Sequence, residues 1–270
     1  MQPTFFRNSN IPYFESRYSE ASSACYGLHS HATVSIGLVV SGQTVIDVAN
    51  KKTSVKKGDI VMFNPGQVHA CNPLKNKQWA YHMLYFEQAW WEQTVKELTS
   101  DNNTVSFNSS IISAPKLCEE LSNINKRLFE SSTQSNFDEF ELQLVIWINR
   151  FLSELESPEV ASKEQENPPE WIDKIIQLLE EKTTQVVKLE SLCEISQEPI
   201  TQLIRKFKFH CGLTPYAYFQ NFRIHRAKGM LAKGANISDV AFELGFADQS
   251  HLHRLFKRLV ACTPKHYQQT

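Results

Sequence analysis

A chain of 270 residues, 41% hydrophobic and 21% charged, has room for two domains of ordinary composition. Its formal charge of -1 gives no sign of a nucleic-acid binder, and no apolar run approaches the roughly 18 residues that a membrane span needs. Charge is nevertheless segregated: residues 1–169 hold 14 Lys+Arg against 19 Asp+Glu, net -5, and residues 170–270 hold 14 against 10, net +4. This asymmetry points to an acidic partner for the second part, unless it reflects two solvated domains of unlike charge. The start, MQPTFFRNSNIPYF, has no basic and apolar succession of a signal peptide. Six scattered cysteines without a CxxC pair argue against a disulfide framework and against structural zinc. A cytoplasmic setting is the expectation.

Residues 1–110 alternate short apolar runs with turn signals. Residues 35–40 (SIGLVV) precede Ser41-Gly42, and residues 44–48 (TVIDV) precede Asn50-Lys51-Lys52. Residues 60–63 (IVMF) lie between Gly58-Asp59 and Pro65-Gly66, and residues 79–86 (WAYHMLYF) follow a polar stretch. Short strands at this spacing predict an antiparallel sandwich or barrel. Histidines flank them, with His29-Ser30-His31 before the first strand and His69 at the end of Pro65-Gly66-Gln67-Val68-His69. The pattern resembles the two motifs of the cupin barrel, His-x-His and Pro-Gly-x-x-His, which converge at the barrel mouth. In metal-dependent cupins these histidines hold a divalent metal, helped by a Glu shortly after the first pair. Here Ser35 and Ile36 stand four and five residues after His31, and the carboxylate is missing. Three imidazoles can still hold zinc, copper, nickel or iron. A divalent metal on His29, His31 and His69 therefore stays open beside hydrogen bonding to a small ligand and a structural role. The ligand reading is carried forward: no cofactor is expected, and His29, His31, His69, Tyr81 and His82 are the expected effector contacts. Tyr26, Trp79 and Tyr85 are expected in the core.

Two helices follow. Residues 114–131 carry Leu117, Leu121, Ile124 and Leu128 at helical spacing. Residues 136–155 carry Phe140, Leu144, Trp147, Ile148, Phe151 and Leu155, and Leu142, Val145, Ile146 and Leu152 widen the apolar face. The surplus has two destinations, the barrel surface or a second chain, and a homodimer is the expectation. Residues 156–169 (ESPEVASKEQENPP) are polar, charged and hold three prolines, so they read as a linker between domains at 1–155 and 170–270.

The last hundred residues are helical in pattern and contain a repeat. Residues 203–218 (LIRKFKFHCGLTPYAY) match residues 252–267 (LHRLFKRLVACTPKHY) at an offset of 49. The offset pairs Leu203 with Leu252, Arg205 with Arg254, Phe207 with Phe256, Lys208 with Lys257, Thr214 with Thr263, Pro215 with Pro264 and Tyr218 with Tyr267. One structural unit is used twice. In the first copy, Trp171, Ile175, Leu178 and Leu179 mark a helix, residues 189–195 a second, and Pro199 suits the first position of a third. Ile200, Leu203 and Phe207 would face inward there. Thr201, Gln202, Ile204 and Arg205 would reach base edges, with Lys206 and Lys208 at phosphate. A long helix over 215–233 ends at Gly234, a C′ glycine, and Arg223 on its basic flank is a further expected phosphate contact. In the second copy Asp248 is the expected N-cap of a helix over 249–260. Gln249, Ser250, His253 and Arg254 face outward toward bases, and Lys257 and Arg258 toward phosphate. Arg suits guanine and Gln adenine in the major groove.

The run Ile237-Ser238-Asp239-Val240-Ala241, with Gly245-Phe246, Ser250, Phe256-Lys257, Thr263-Pro264 and Tyr267, resembles the signature of the AraC/XylS family. The resemblance covers the whole chain. It implies a two-domain α+β protein: an N-terminal cupin-like β-barrel with flanking helices, then an all-α domain of two helix-turn-helix subdomains joined by a long helix. It implies recognition helices in adjacent major grooves, about 34 Å apart on one DNA face. The first unit departs from the pattern at Pro199, where a small capping residue is usual, and at Cys193, where alanine is common. Residues 78–85 are similar to a segment of family members thought to sense amino acids, which makes an amino acid one effector to consider.

The expected function is sequence-specific transcription regulation on double-stranded DNA, controlled by a small molecule in the barrel, with RNA polymerase as a further partner and no catalytic residues. The alternative is a metal-dependent cupin enzyme with an accessory helical domain, which the missing carboxylate weakens. A DNA-bound architectural protein without a ligand is the third.

Overall fold

A computed structural model describes residues 2–99, 106–130, 134–155, 168–184 and 187–269. The chain forms two units: Met1–Ala24 with His31–Ala161 and Thr270, and Cys25–Ser30 with Ser162–Gln269. Most of the expected linker, residues 156–167, lies outside the described residues.

The first unit is an antiparallel sheet of β1 (Thr4–Arg7), β2 (Phe14–Ser22), β3 (Val34–Val48), β4 (Lys51–Lys56), β5 (Asp59–Phe63), β6 (His69–Pro73), β7 (Trp79–Phe86) and β8 (Ile111–Ser113). The order is β1-β2-β7-β3-β5-β8, and β4 and β6 pair with the second half of β3. The two runs read as separate strands, 35–40 and 44–48, are one strand of 15 residues. It bends where its register against β7 shifts between Val39 and Ser41. Gly42 follows with φ 70°, and a Cβ there would stand 2.6 Å from the Gln78 carbonyl oxygen, so the bend requires glycine.

Because successive strand residues point to opposite faces, the bent sheet encloses one cluster and presents another. Val39, Ile46, Val55, Val61, Phe63, Cys71, Trp79, Tyr81, Met83 and Tyr85 fill the interior. Ile36, Leu38, Ile60, Met62, Leu84 and Phe86 line the other face. That face is covered by α2 (Pro115–Glu130) and α3 (Gln134–Leu155), and α1 (Gln88–Thr99) adds Trp91 and Val95. Trp147 Nε1 donates to the Leu117 carbonyl oxygen at 2.9 Å and ties α3 to α2. The broad face of α3, with Phe140, Leu144, Trp147, Ile148, Phe151 and Leu152, is thus buried within this unit. Leu142 and Ile146 stay 62% and 53% exposed. A strand buried on both faces reads as an unbroken apolar run. That is the character of β7, whose eight residues are all buried.

In the second unit, α4 (Glu170–Glu181), α5 (Leu189–Ser196) and α6 (Ile200–Cys211) bury Ile172, Ile175, Leu179, Leu192, Leu203 and Phe207 against Phe219. Phe219 lies on α7 (Pro215–Ala232), 18 residues and so about 27 Å long. Beyond it come α8 (Ile237–Glu243), α9 (Gln249–Val260) and α10 (Pro264–Gln269). The repeated residues do the same work twice. Thr214 and Thr263 hydroxyls accept from the Ala217 and His266 N–H groups at 3.3 and 3.1 Å. Tyr218 meets Phe207 edge-on at 5.9 Å, and Tyr267 meets Phe256 at 5.5 Å. Gly212 and Ala261, also 49 apart, both close their helices with positive φ, 73° and 56°. Gly245 opens the second turn at φ 66°, and a Cβ would stand 2.7 Å from the Thr184 carbonyl oxygen. Within this unit the segment Cys25–Ser30 is fastened to α7. Asn221 accepts from the Ser30 N–H at 3.4 Å and donates to its hydroxyl at 3.1 Å, and His225 hydrogen-bonds its carbonyl oxygen.

Candidate nucleic-acid interface and effector site

α9 is built as an exposed polar ridge on a buried apolar base. Leu252, Leu255, Phe256 and Leu259 are buried, while Gln249, Ser250, His253, Arg254, Lys257 and Arg258 are exposed. Asp248 caps the helix, accepting from the His251 N–H at 2.6 Å. The cap satisfies one orphan donor and leaves the first turn's other N–H groups and positive dipole end facing outward. Such a helix lays its exposed N-terminal half against base edges and its basic end along the backbone.

α6 repeats this arrangement imperfectly. Thr201, Arg205 and Lys208 are exposed, and Gln202 is half-buried, accepting from Arg205 at 2.7 Å. Three expectations are corrected here. Ile204 is half-buried and packs against the apolar core, whereas Ile200, expected inward, is exposed at the helix start. Lys206 pairs with Glu198 at 2.5 Å, so its charge is already engaged within the protein. Pro199 stands at the capping position that the family resemblance gave it, before Ile200, with no side-chain cap bond. A fourth correction falls on α7. Arg223 is 4% exposed, its Nε donates to the Thr183 carbonyl oxygen at 2.8 Å, and its guanidinium lies 4.0 Å over the Phe219 ring. Burial lowers its pKa, and its role is to bind helices together rather than to meet phosphate. The spacing on α7 looks amphipathic, but this helix is central to its unit and buries Gln220 and Asn221 as well.

The sheet interior separates residues that adjoin in sequence. Tyr81 belongs to the interior cluster and stacks on Trp79 at 4.1 Å. His82 points to the opposite face, 2.7 Å from Asn125 on α2 and stacked on Tyr18 at 4.6 Å. Burial pushes its pKa down to about 4, so it is a neutral helix-sheet contact and not a partner of Tyr81. His69 lies flat on Phe63 at 3.7 Å with Nδ1 2.8 Å from the Gln67 carbonyl oxygen. His31 lies 5.1 Å from His69 and edge-on to Tyr85 at 5.0 Å. The interior therefore gathers His31, His69, Tyr81 and Tyr85. His29 falls in the segment assigned to the second unit, with Nδ1 2.8 Å from the Gly27 carbonyl oxygen.

Sequence reasoning missed Arg17. It stands opposite Met83 in the β2-β7 register, is 4% exposed, and lies 5.7 Å from the Tyr81 ring and 5.3 Å from the Phe5 ring. Directly opposed residues share a face, so Arg17 faces the interior. Burial raises the Tyr85 hydroxyl pKa, and the Arg17 charge pulls against it. The same two influences act on the Cys71 thiol, pushed up to about 12. In FESRYSEAS the charges Glu15 and Arg17, two residues apart, look like the solvent side of an ordinary strand, which hides Arg17 from a reading of the sequence.

A sheet with an apolar interior holding polar groups, followed by paired helix-turn-helix units, defines a ligand-responsive DNA-binding regulator. The chain belongs to the AraC family: residues 14–148 match the AraC-like ligand binding domain, and residues 193–270 match a helix-turn-helix domain. It is an AraC-family transcriptional regulator with an N-terminal ligand-binding domain. It is 27% identical over 224 residues to the uncharacterized HTH-type transcriptional regulator YbfI of Bacillus subtilis (strain 168), covering 83% of this chain and 80% of YbfI. It is 33% identical over 101 residues to the bifunctional transcriptional activator/DNA repair enzyme AdaA of the same organism, covering 37% of this chain and 48% of AdaA. ToxT from Vibrio cholerae O395 shares the fold, with a TM-score of 0.60 at 15% identity over 95% of this chain and 97% of ToxT. An unsaturated fatty acid-bound ToxT matches with a TM-score of 0.59 at 15% identity over 97% of each chain. The metal-dependent enzyme considered as the alternative finds no support, since YbfI, matched over most of both chains, is a transcriptional regulator. No helix among the described residues is long and apolar enough to cross a membrane.

Proposed function

We propose that the chain reads an operator in double-stranded DNA with α9 and α6, and that a small molecule in the sheet interior controls that reading. The observation that carries it is the exposed row Gln249, Ser250, His253 and Arg254 on the buried base of α9, capped by Asp248. Lys257, Arg258 and Lys208, at helix ends, take phosphate. Thr201, Gln202 and Arg205 form the second base-reading set. His31, His69 and Tyr81 serve the effector, with no resident metal and no catalytic group, so a chelator leaves the response unchanged. The bound fatty acid in ToxT supports small-molecule control as a mode available to this fold. The protein works in the cytoplasm as a homodimer. Leu142 and Ile146, one turn apart and exposed, supply its contact, and promoter-bound RNA polymerase is its further partner.

The test is selection of bound sites from random duplexes, followed by footprinting with and without metabolites. The expected site has two unequal blocks about 10–10.5 base pairs apart. A single block, or one unaffected by Arg254→Ala, overturns the two-helix reading.

A further inference from the structure

The first unit is acidic in total, yet its lysines gather on one part of it. Residues 41–78 hold six Lys, no Arg and two Asp, net +4, while the rest of residues 1–169 holds 8 Lys+Arg against 17 Asp+Glu, net -9. Four of the lysines meet where β3 bends. Lys56 ends β4 opposite Gln43, and the Lys57 N–H donates to the Gly42 carbonyl oxygen at 3.1 Å. Lys75 and Lys77 stand in the turn between Pro73, opposite Thr44, and Trp79, opposite Gly42. All four side chains are exposed, and none makes an ion pair among the described residues. Of the two carboxylates, Asp59 is buried and accepts from the Lys56 N–H at 2.8 Å. Asp47 stands opposite Lys52, four residues and about 14 Å along the strand from Lys56. Charged side chains also protect an exposed strand edge, and β4 pairs only with β3. That accounts for Lys56 but not for Lys57, Lys75 and Lys77, which lie outside the strands.

We infer that this lysine ridge is a second DNA contact, which holds the phosphate backbone of the duplex flanking the operator without reading its bases. Lysine is a compact point charge suited to phosphate. The exposed Gln43, Asn76 and Gln78 beside the lysines are of the types that hydrogen-bond phosphate oxygens. A protein partner fits less well, because protein interfaces are depleted in lysine and centred on buried apolar anchors. Leu74, 39% exposed, is the one large apolar side chain exposed among residues 41–78. The helix-turn-helix unit of the same chain supplies the duplex at high effective concentration, so a weak contact suffices. A unit of net negative charge is otherwise repelled by that duplex, and the ridge selects the side that approaches it. The inference rests on the DNA-binding reading above and adds a contact outside the helix-turn-helix unit.

Binding of the full chain at a series of salt concentrations tests it on two duplexes. One is the selected operator alone, and the other adds about two helical turns, roughly 20 base pairs, on each side. Each phosphate neutralised adds about 0.9 to the salt slope, so the flanked duplex is expected to give a slope steeper by about 2–4. A variant carrying Lys56→Gln, Lys57→Gln, Lys75→Gln and Lys77→Gln loses that increment and binds the operator alone as the parent does. Arginine at the same four positions retains it. Lys96→Gln with Lys116→Gln and Lys126→Gln, exposed on α1 and α2, leave it within about 0.9. Equal melting temperatures show that the variants are folded. If the fourfold Gln variant melts lower, Lys75→Gln with Lys77→Gln decides, with half the loss expected. A Gln variant that keeps the increment, or α1 and α2 changes that remove as much of it, overturns the inference. A Gln variant that keeps the increment but loses self-association in sedimentation assigns the ridge to a second copy, and also overturns it. So do equal slopes on both duplexes for the unaltered chain, and the DNA-binding reading then survives. A chain that prefers no operator over random duplex removes the DNA-binding reading itself.

Discussion

α6 and α9 descend from one repeated sequence, and their inner faces agree far better than their outer ones. Leu203 and Phe207 are buried in one, Leu252 and Phe256 in the other, and each phenylalanine meets a tyrosine from the helix after it. Outside, α9 presents an uninterrupted exposed row, while α6 has Lys206 tied to Glu198, Gln202 tied to Arg205 and Ile204 turned into its core. The difference teaches that packing fixes a repeated unit's skeleton while each exposed surface is free to diverge. Two helices of one origin then read unlike DNA.

The largest expected effect probes the shared skeleton. Phe207→Ala and Phe256→Ala each cost about 3–5 kcal/mol, because both empty a fully buried site. Urea unfolding that shows one loss far smaller than the other breaks the equivalence. The outer faces come next. Arg254→Ala costs about 1–3 kcal/mol of specific binding and relaxes preference at one base position, while Ile204→Ala shows its cost chiefly in stability. Competition binding with single-base operator variants tells them apart. In the same assay Lys257→Ala lowers the salt slope by about 0.9, and Lys206→Ala leaves it unchanged. The caps follow. Asp248→Ala destabilises by about 1 kcal/mol, and Pro199→Ala, which removes no cap bond, stays within about 0.5 kcal/mol. Equal losses in melting experiments contradict this asymmetry. The smallest effect lies at the helix ends. Ala261 holds a left-handed conformation that glycine adopts without strain, so Ala261→Gly gains about 0.5–1 kcal/mol and Gly212→Ala loses a similar amount.

α9 was open to sequence reading because its signals are local: apolar residues at helical spacing, an Asp cap and a repeat to check against. The Lys206 pairing depends on where Glu198 lands after the turn, and the Arg223 burial on α7 standing at the centre of its unit. Neither is written within one helix. His82 differs, because adjacent strand residues face opposite sides, so Tyr81 and His82 could not share a cavity once β7 is a strand. Arg17 was hidden because Glu15 and Arg17, two residues apart on β2, look like a solvent-facing pair, and only the pairing with β7 turns that face inward.

By itself the sequence determined α2, α3 and the main helices of the repeated unit, the Asp248 cap, the duplication and the family, since helix spacing, capping and turn chemistry act within a few residues. Tertiary structure decided which polar side chains remain for DNA and which are consumed in packing. It also decided that the sheet bends at Gly42 around Arg17, Thr44 and Trp79. The physical reason is range: a strand's inward face is set by register with partners tens of residues away, and a helix's free face by neighbours from other elements.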